Sequence, residues 1–196
     1  MKTLLIVDAQ IDFMPGGNLE VKNGDQIVPE INAIQNDYDL VLATQDWHPK
    51  NHMSFAANHE GKNAFDEIEI DGNPQTLWPE HCVQCSQGAE FHPKLNLTKV
   101  EAIFRKGTNP EIDSYSAFYD NNHDKSTGLA GYLKEKKVET ISVCGLAGDI
   151  CVYFTIKDAL KEGFKIELIT KATKALDEDK FNQQKKELKA KGVEFV

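Results

Sequence analysis

The chain reads as an α/β protein, a three-layer α/β/α arrangement around a mainly parallel six-stranded sheet of the Rossmann-like kind. Three observations carry this reading. Short apolar runs alternate with segments of helical spacing along the whole chain. The first run, Thr3 to Val7, is continuously apolar, as a central parallel strand buried on both faces requires. Polar residues able to do chemistry fall where the apolar runs end, which is where open α/β sheets bind their ligands.

Taken in order, Thr3 to Val7 is the first strand and Asp8 marks its C-terminal end. A loop from Gln10 to Asn23, punctuated by Pro15, Gly16 and Gly17, leads to a helix through Ile27, Ile31 and Ile34. Leu40 to Thr44 is the second strand, running into Gln45-Asp46-Trp47-His48, and Pro49 ends its pairing. From about 49 to 98 there is no sustained periodicity. The segment holds Phe55, Phe65, Leu77, Trp78 and Phe91, which favours an ordered excursion over disorder. Ala102 to Arg105 is the third strand, followed by Lys106-Gly107 and a second irregular stretch rich in aromatics. A helix over Thr127 to Lys136 and a fourth strand over Glu139 to Cys144 come next. Gly145, Ala147 and Gly148 then permit a sharp turn, with Asp149 as N-cap of a helix that Gly163 stops. A strand over Lys165 to Ile169, a helix over Asp177 to Lys191 and a strand over Val193 to Val196 complete the pattern.

The totals bound what such a fold can be for. With 196 residues the chain can bury a core without disulfides or structural metal, which predicts one domain over 1–196. Its 22 basic residues against 31 acidic ones, a net charge of −9, argue against nucleic acid or an anionic membrane as partner. No apolar run reaches the length of a membrane span, and Met1-Lys2 leads into a strand rather than a signal-peptide core, so a cytoplasmic location is expected. The cysteines at 82, 85, 144 and 151 do not make a disulfide framework, since Cys144 falls inside a predicted strand.

Asp8, Asp46 with His48, Lys106 and Cys151 end or follow four successive strands and should converge on one sheet edge. Cys151 falls in the first turn of its helix, where unpaired N–H groups and the helix dipole favour a thiolate. The competing reading is a small buried hydrophobe. With Asp8 as base and Lys106 as cation, Cys151 would complete a nucleophilic constellation. Asp46 and His48 are two apart in extended chain and project to one side, as two ligands of a divalent metal would. A third ligand would come from His52, His59, His81 or His92.

The stretches IVDAQIDFMPGG, TQDWHPKNHMSFAANHEG, LWPEHCVQ, GAEFHP, FRKGTNPEIDSYSAFYDN and GLAGDICV resemble the nicotinamidases of the isochorismatase-like cysteine hydrolase family, from Leu4 to about Asp158. That resemblance implies a nucleophile at Cys151, a general acid/base at Asp8, a catalytic lysine at Lys106 and metal ligands at Asp46, His48 and His81. It also implies an oxyanion hole from the backbone N–H groups of Ala147 and Cys151, a cis peptide at Leu146-Ala147, and a substrate slot between Phe13 and Trp78. The implied reaction is hydrolysis of nicotinamide, with pyrazinamide as an alternative substrate. The implied cofactor is one divalent metal ion per chain, zinc ahead of iron or manganese; the partners are small molecules, with a homo-oligomer compatible. One departure stands out: Cys85 occupies a position where the family usually has glycine or asparagine after HCVQ. It creates a Cys82-x-x-Cys85 pair, which by itself suggests a redox couple or half a zinc site.

Overall fold

A computed structural model describes residues 1–70 and 72–196. Its centre is a six-stranded sheet built from β1 (Thr3–Val7), β2 (Leu40–Asp46), β5 (Val100–Lys106), β6 (Thr140–Gly145), β7 (Lys165–Thr173) and β8 (Glu194–Phe195). The spatial order is β5-β2-β1-β6-β7-β8, and every pairing is parallel. Every residue of β1 and β2 is buried, so both faces of the sheet centre are covered, which is why Leu4–Val7 and Leu40–Ala43 read as apolar runs.

The helices are α1 (Ile27–Ile34), α2 (Leu129–Glu135), α3 (Tyr153–Lys161) and α4 (Glu178–Ala190). α4 is capped by Asp177, whose side chain accepts the Lys180 N–H at 2.9 Å. Among the described residues no helix is long and apolar enough to cross a membrane.

The chain runs from β1 outward through β2 to β5, then returns to lay β6 on the other side of β1 and continues outward to β8. The switch point therefore lies between β1 and β6, at the C-terminal ends of both. Close approach there depends on Gly145, whose φ is 121° and whose missing Cβ would collide with the Val7 backbone.

Besides β7, which runs on to Thr173 instead of ending at Ile169, three sequence expectations need correction. The second strand does not stop at Thr44: Gln45 and Asp46 still pair with Arg105 and Lys106, so Asp46 is the last residue of the strand itself. The excursion contains a hairpin, β3 (Glu67–Ile70) with β4 (Asn73–Thr76), that the sequence reading did not find. Cys151 lies in a π-helical turn, Gly148–Val152, that precedes α3, and Asp149 does not cap it. The Asp149 carboxylate instead accepts the Leu176 N–H at 2.8 Å, tying the segment before α4 to the turn.

Candidate active site

Asp8 follows β1 with a left-handed φ of 45°, Asp46 ends β2 and Lys106 ends β5. Their side chains meet beneath the turn that carries Cys151. Lys106 Nζ lies 2.9 Å from Asp8 Oδ2, 3.0 Å from Asp46 Oδ1, 3.1 Å from the Ser114 carbonyl and 3.5 Å from Cys151 Sγ. Thr44 donates its hydroxyl to Asp8 Oδ1 at 2.6 Å. Asp8, Asp46, Lys106 and Cys151 are all buried.

One ammonium thus serves two buried carboxylates, and the environment separates them. Burial by itself would neutralise Lys106, but Asp46 and Asp8 reverse this and raise it well above its ordinary value. Burial also works against an ionised Asp46, yet His48 and Lys106 hold its carboxyl well below the usual range. For Asp8 burial prevails over Lys106, so its carboxyl is raised. Asp8 is the carboxyl of the pair suited to exchanging a proton.

The thiol does not follow the expectation drawn from the helix start. Burial, which leaves Cys151 only 6% exposed, pushes it well above the ordinary thiol value. Lys106 opposes this, while Asp8 and Asp46 add to it. The resting group is a thiol beside a carboxylate able to accept its proton.

Of the four histidine candidates, the structure brings His81 to Asp46 and His48. Asp46 Oδ2 lies 3.0 Å from His48 Nε2 and 3.4 Å from His81 Nε2. The far nitrogens face carbonyls: His48 Nδ1 is 3.0 Å from Gly107 O and His81 Nδ1 is 2.8 Å from Pro79 O. A carbonyl only accepts, so each Nδ1 must donate, and a ring in its neutral form turns its Nε2 lone pair toward Asp46. Three acceptors converge, and the three buried residues form a group that could hold a metal ion. Two imidazoles, a carboxylate and carbonyl-oriented rings fit zinc, Fe(II) or Mn. Burial lowers the His48 pKa, but the Asp46 charge and hydrogen bond raise it overall, so without an ion Nε2 tends to hold a proton against Asp46, in the place a cation would take.

His59 and His92 lie outside this cluster; His59 Nε2 binds the Met53 carbonyl at 2.6 Å, and His92 Nδ1 accepts the Lys94 N–H at 3.2 Å. His52 packs against His48 with ring centroids 4.2 Å apart and planes tilted by 52°, and forms a second buried group with His48 and Asp113. Its Nδ1 faces the Ser54 hydroxyl at 2.7 Å. Burial and the neighbouring His48 push it down to about 4.

Phe13, Trp78, Ala147 and Cys151 line one cleft with Asp46, His48 and His81. The Leu146-Ala147 peptide is cis. The neighbouring N–H groups of Ile150 and Val152 bind Ala147 O, and that of Gly148 binds Lys174 O. The sequence reading missed Asp113, Ser114 and Tyr115, which also line the cleft. Tyr115 accepts the Trp78 indole N–H at 3.3 Å. Their signal is the polar and aromatic run DSYSAFYDN, in the loop between β5 and α2.

Residues 2–196 match the isochorismatase domain family. The chain is 49% identical over 194 residues to the nicotinamidase of Acinetobacter baylyi, covering 98% of this chain and 91% of that one. Among solved structures it is similar to a nicotinamidase/pyrazinamidase of Acinetobacter baumanii, with 47% identity, a TM-score of 0.96 and coverage of 100% and 95%. It is also similar to the pyrazinamidase of Pyrococcus horikoshii in complex with zinc, with 35% identity, a TM-score of 0.82 and coverage of 100% and 98%. The chain belongs to the isochorismatase family and stands among its nicotinamidase members.

Proposed function

We propose that the chain is a metal-dependent amidase that hydrolyses nicotinamide to nicotinate and ammonia through a thioester on Cys151. It would act as one hydrolase domain in the cytoplasm, on the salvage route to NAD. The observation that carries this reading is a single cleft shared by a thiol, three converging acceptors and two aromatic walls. The names of the Acinetobacter relatives and the zinc bound by the Pyrococcus homologue support it.

A divalent ion held by Asp46, His48 and His81, zinc ahead of iron or manganese, would supply a Lewis-acid anchor for a pyridine nitrogen. Phe13 and Trp78 hold the ring from its sides. Cys151 Sγ attacks the amide carbon as Asp8 takes the thiol proton, and Lys106 stabilises the sulfur while it carries charge. The N–H groups of Ala147 and Cys151 receive the developing oxyanion. Asp8 returns the proton to nitrogen as the C–N bond breaks, releasing ammonia and leaving the thioester. Asp8 then removes a proton from water as it attacks the thioester, and the proton returns to sulfur when the C–S bond breaks.

The test is ammonia release from nicotinamide by purified protein, with and without a chelator. Turnover that a chelator abolishes and added divalent ion restores is expected; turnover indifferent to the chelator overturns the metal dependence. Absence of turnover with nicotinamide, but turnover of another small amide, would instead favour a related cysteine hydrolase. Pyrazinamide is the second substrate to assay, as the Acinetobacter baumanii neighbour's name couples the two activities. A redox or zinc module on Cys82 and Cys85 is disfavoured, because Cys82 is buried, Cys85 is exposed, and neither belongs to the metal-capable groups among the described residues.

A further inference from the structure

Asp46 and His48 belong to β2 and its immediate extension, whereas His81 belongs to the long excursion, outside the main sheet. Sheet pairing alone therefore does not bring His81 to Asp46. Two side chains of the segment after β1 do part of this work, at alternate positions following Asp8.

Gln10 is fully buried. Its side-chain oxygen accepts the Asp46 N–H at 2.7 Å, and its side-chain nitrogen donates to the Asp46 carbonyl at 2.8 Å and to the Ala89 carbonyl at 2.9 Å. The β1–β2 ladder ends at Ile6 and Ala43, so beyond it the Gln10 amide stands in for the missing strand and holds both backbone groups of Asp46.

Asp12, two residues on, grips the other part of the site. Its Oδ2 accepts the Cys82 N–H at 2.7 Å, and its Oδ1 accepts the Asn18 N–H at 3.2 Å. Cys82 follows His81 directly and has a left-handed φ of 47°. Its carbonyl accepts the His48 N–H at 3.0 Å, and the Gln84 N–H donates to the His48 carbonyl at 2.8 Å. A chain of hydrogen bonds thus links Asp12 to Cys82, and Cys82 to His48. The carboxylate lies over Gly88, where a Cβ would overlap it.

We propose that Gln10 and Asp12 are the positioning residues of the Asp46, His48 and His81 cluster, setting metal affinity without touching metal or substrate. The proposal rests on reading that cluster as a metal site. Ligands fixed before the ion arrives bind it more tightly, because ordering them costs nothing further, and loss of such supporting contacts typically weakens binding about ten- to a hundredfold. Gly88→Ala should act like Asp12→Asn from a separate position, by displacing the carboxylate from the Cys82 N–H.

The experiment measures zinc affinity of metal-stripped full-length protein by competition with a chromogenic chelator, for wild type, Gln10→Leu, Asp12→Asn and Gly88→Ala. Ser142→Ala, which removes a buried hydroxyl in β6, serves as control. Amide hydrogen exchange at Asp46 and Cys82 is followed in the same stripped proteins. Expected are a tenfold or greater loss of affinity in the three variants, no change in Ser142→Ala, and faster exchange at Asp46 in Gln10→Leu and at Cys82 in the other two. Where a variant does not fold by circular dichroism, the remaining variants decide. Folded variants that bind zinc within twofold of wild type would overturn this proposal alone. Wild-type protein that binds no zinc would overturn the metal reading and this proposal with it.

Discussion

Lys106 Nζ lies 3.5 Å from Cys151 Sγ while it also pairs with Asp8 at 2.9 Å and Asp46 at 3.0 Å. One buried ammonium therefore connects the thiol, the carboxyl suited to moving a proton, and the carboxylate that faces the two imidazoles. Stability, proton transfer and metal affinity share this residue, and its loss should show in all three.

Lys106→Met should destabilise the protein by roughly 3–5 kcal/mol, because it leaves two buried carboxylates facing one another without their cation. The sign of its pH dependence follows from Asp8. A carboxyl whose folded-state pKa is raised binds its proton more tightly folded than unfolded, so stability grows as pH falls through the folded value. Without Lys106 that elevation increases. Urea unfolding at pH 5 and pH 8 should show part of the loss recovered at pH 5; equal losses at both would contradict the assignment.

The same carboxyl should govern the acid limb of activity. Burial raises Asp8, with Lys106 and the Thr44 hydroxyl opposing, and a base must be ionised to take the thiol proton. Activity should therefore fail on acidification at a pH above the ordinary carboxylate range. Thr44→Val removes a hydrogen bond that favours the charged form, so it should move the acid limb of kcat/KM further up. A pH–rate profile of this variant that is unshifted, or shifted downward, would rule out Asp8 as that base.

The thiol carries the third prediction. Cys151→Ala should fold and melt near wild type, since it trades one small buried group for another, yet its turnover should fall below about a hundredth of wild type. Ammonia release above that level would remove Cys151 from the nucleophile's role. The structure also predicts slow alkylation of Cys151 by iodoacetamide at neutral pH, read on its own peptide by mass spectrometry apart from the exposed Cys85, and rising as the medium becomes alkaline, because burial keeps the sulfur protonated.

What the sequence could and could not show follows from where each signal lies. Thr3–Val7 is buried on both faces, so it is apolar at every position, and Asp8 at its end stands out. That contrast is what made the strand ends readable. The β3–β4 hairpin lacks it: Glu67–Ile70 alternates between exposed and half-buried residues, and β4 contains a proline. The π-helical turn is set partly by the Gly148 N–H reaching Lys174 O, a contact across the chain that the helical spacing of Ile150, Tyr153 and Phe154 does not encode. The protonated state of Cys151 depends on burial among Asp8, Asp46 and Lys106, which only the tertiary structure assembles. Gln10 and Asp12 escaped notice because their partners stand at 46 and 82.

Cys85 allows the last prediction, because the position where the resemblance implies glycine or asparagine coincides with a backbone feature. Its φ is 63°, in the left-handed region, and its side chain is exposed. There a Cβ is a cost and the thiol gains no burial in return. Cys85→Gly should relieve that strain, offset in part by the greater freedom of glycine in the unfolded chain, for a net gain between zero and about 1 kcal/mol. Cys82 makes the contrast: it is also left-handed at 47°, but its side chain is fully buried, so Cys82→Gly would open a void in the core and should destabilise. Melting temperature and ammonia release, measured under reducing conditions, should leave Cys85→Gly at or above wild type and Cys82→Gly below it. A large loss of either property in Cys85→Gly would mean that the Cys85 thiol is needed, as a redox or zinc role would require.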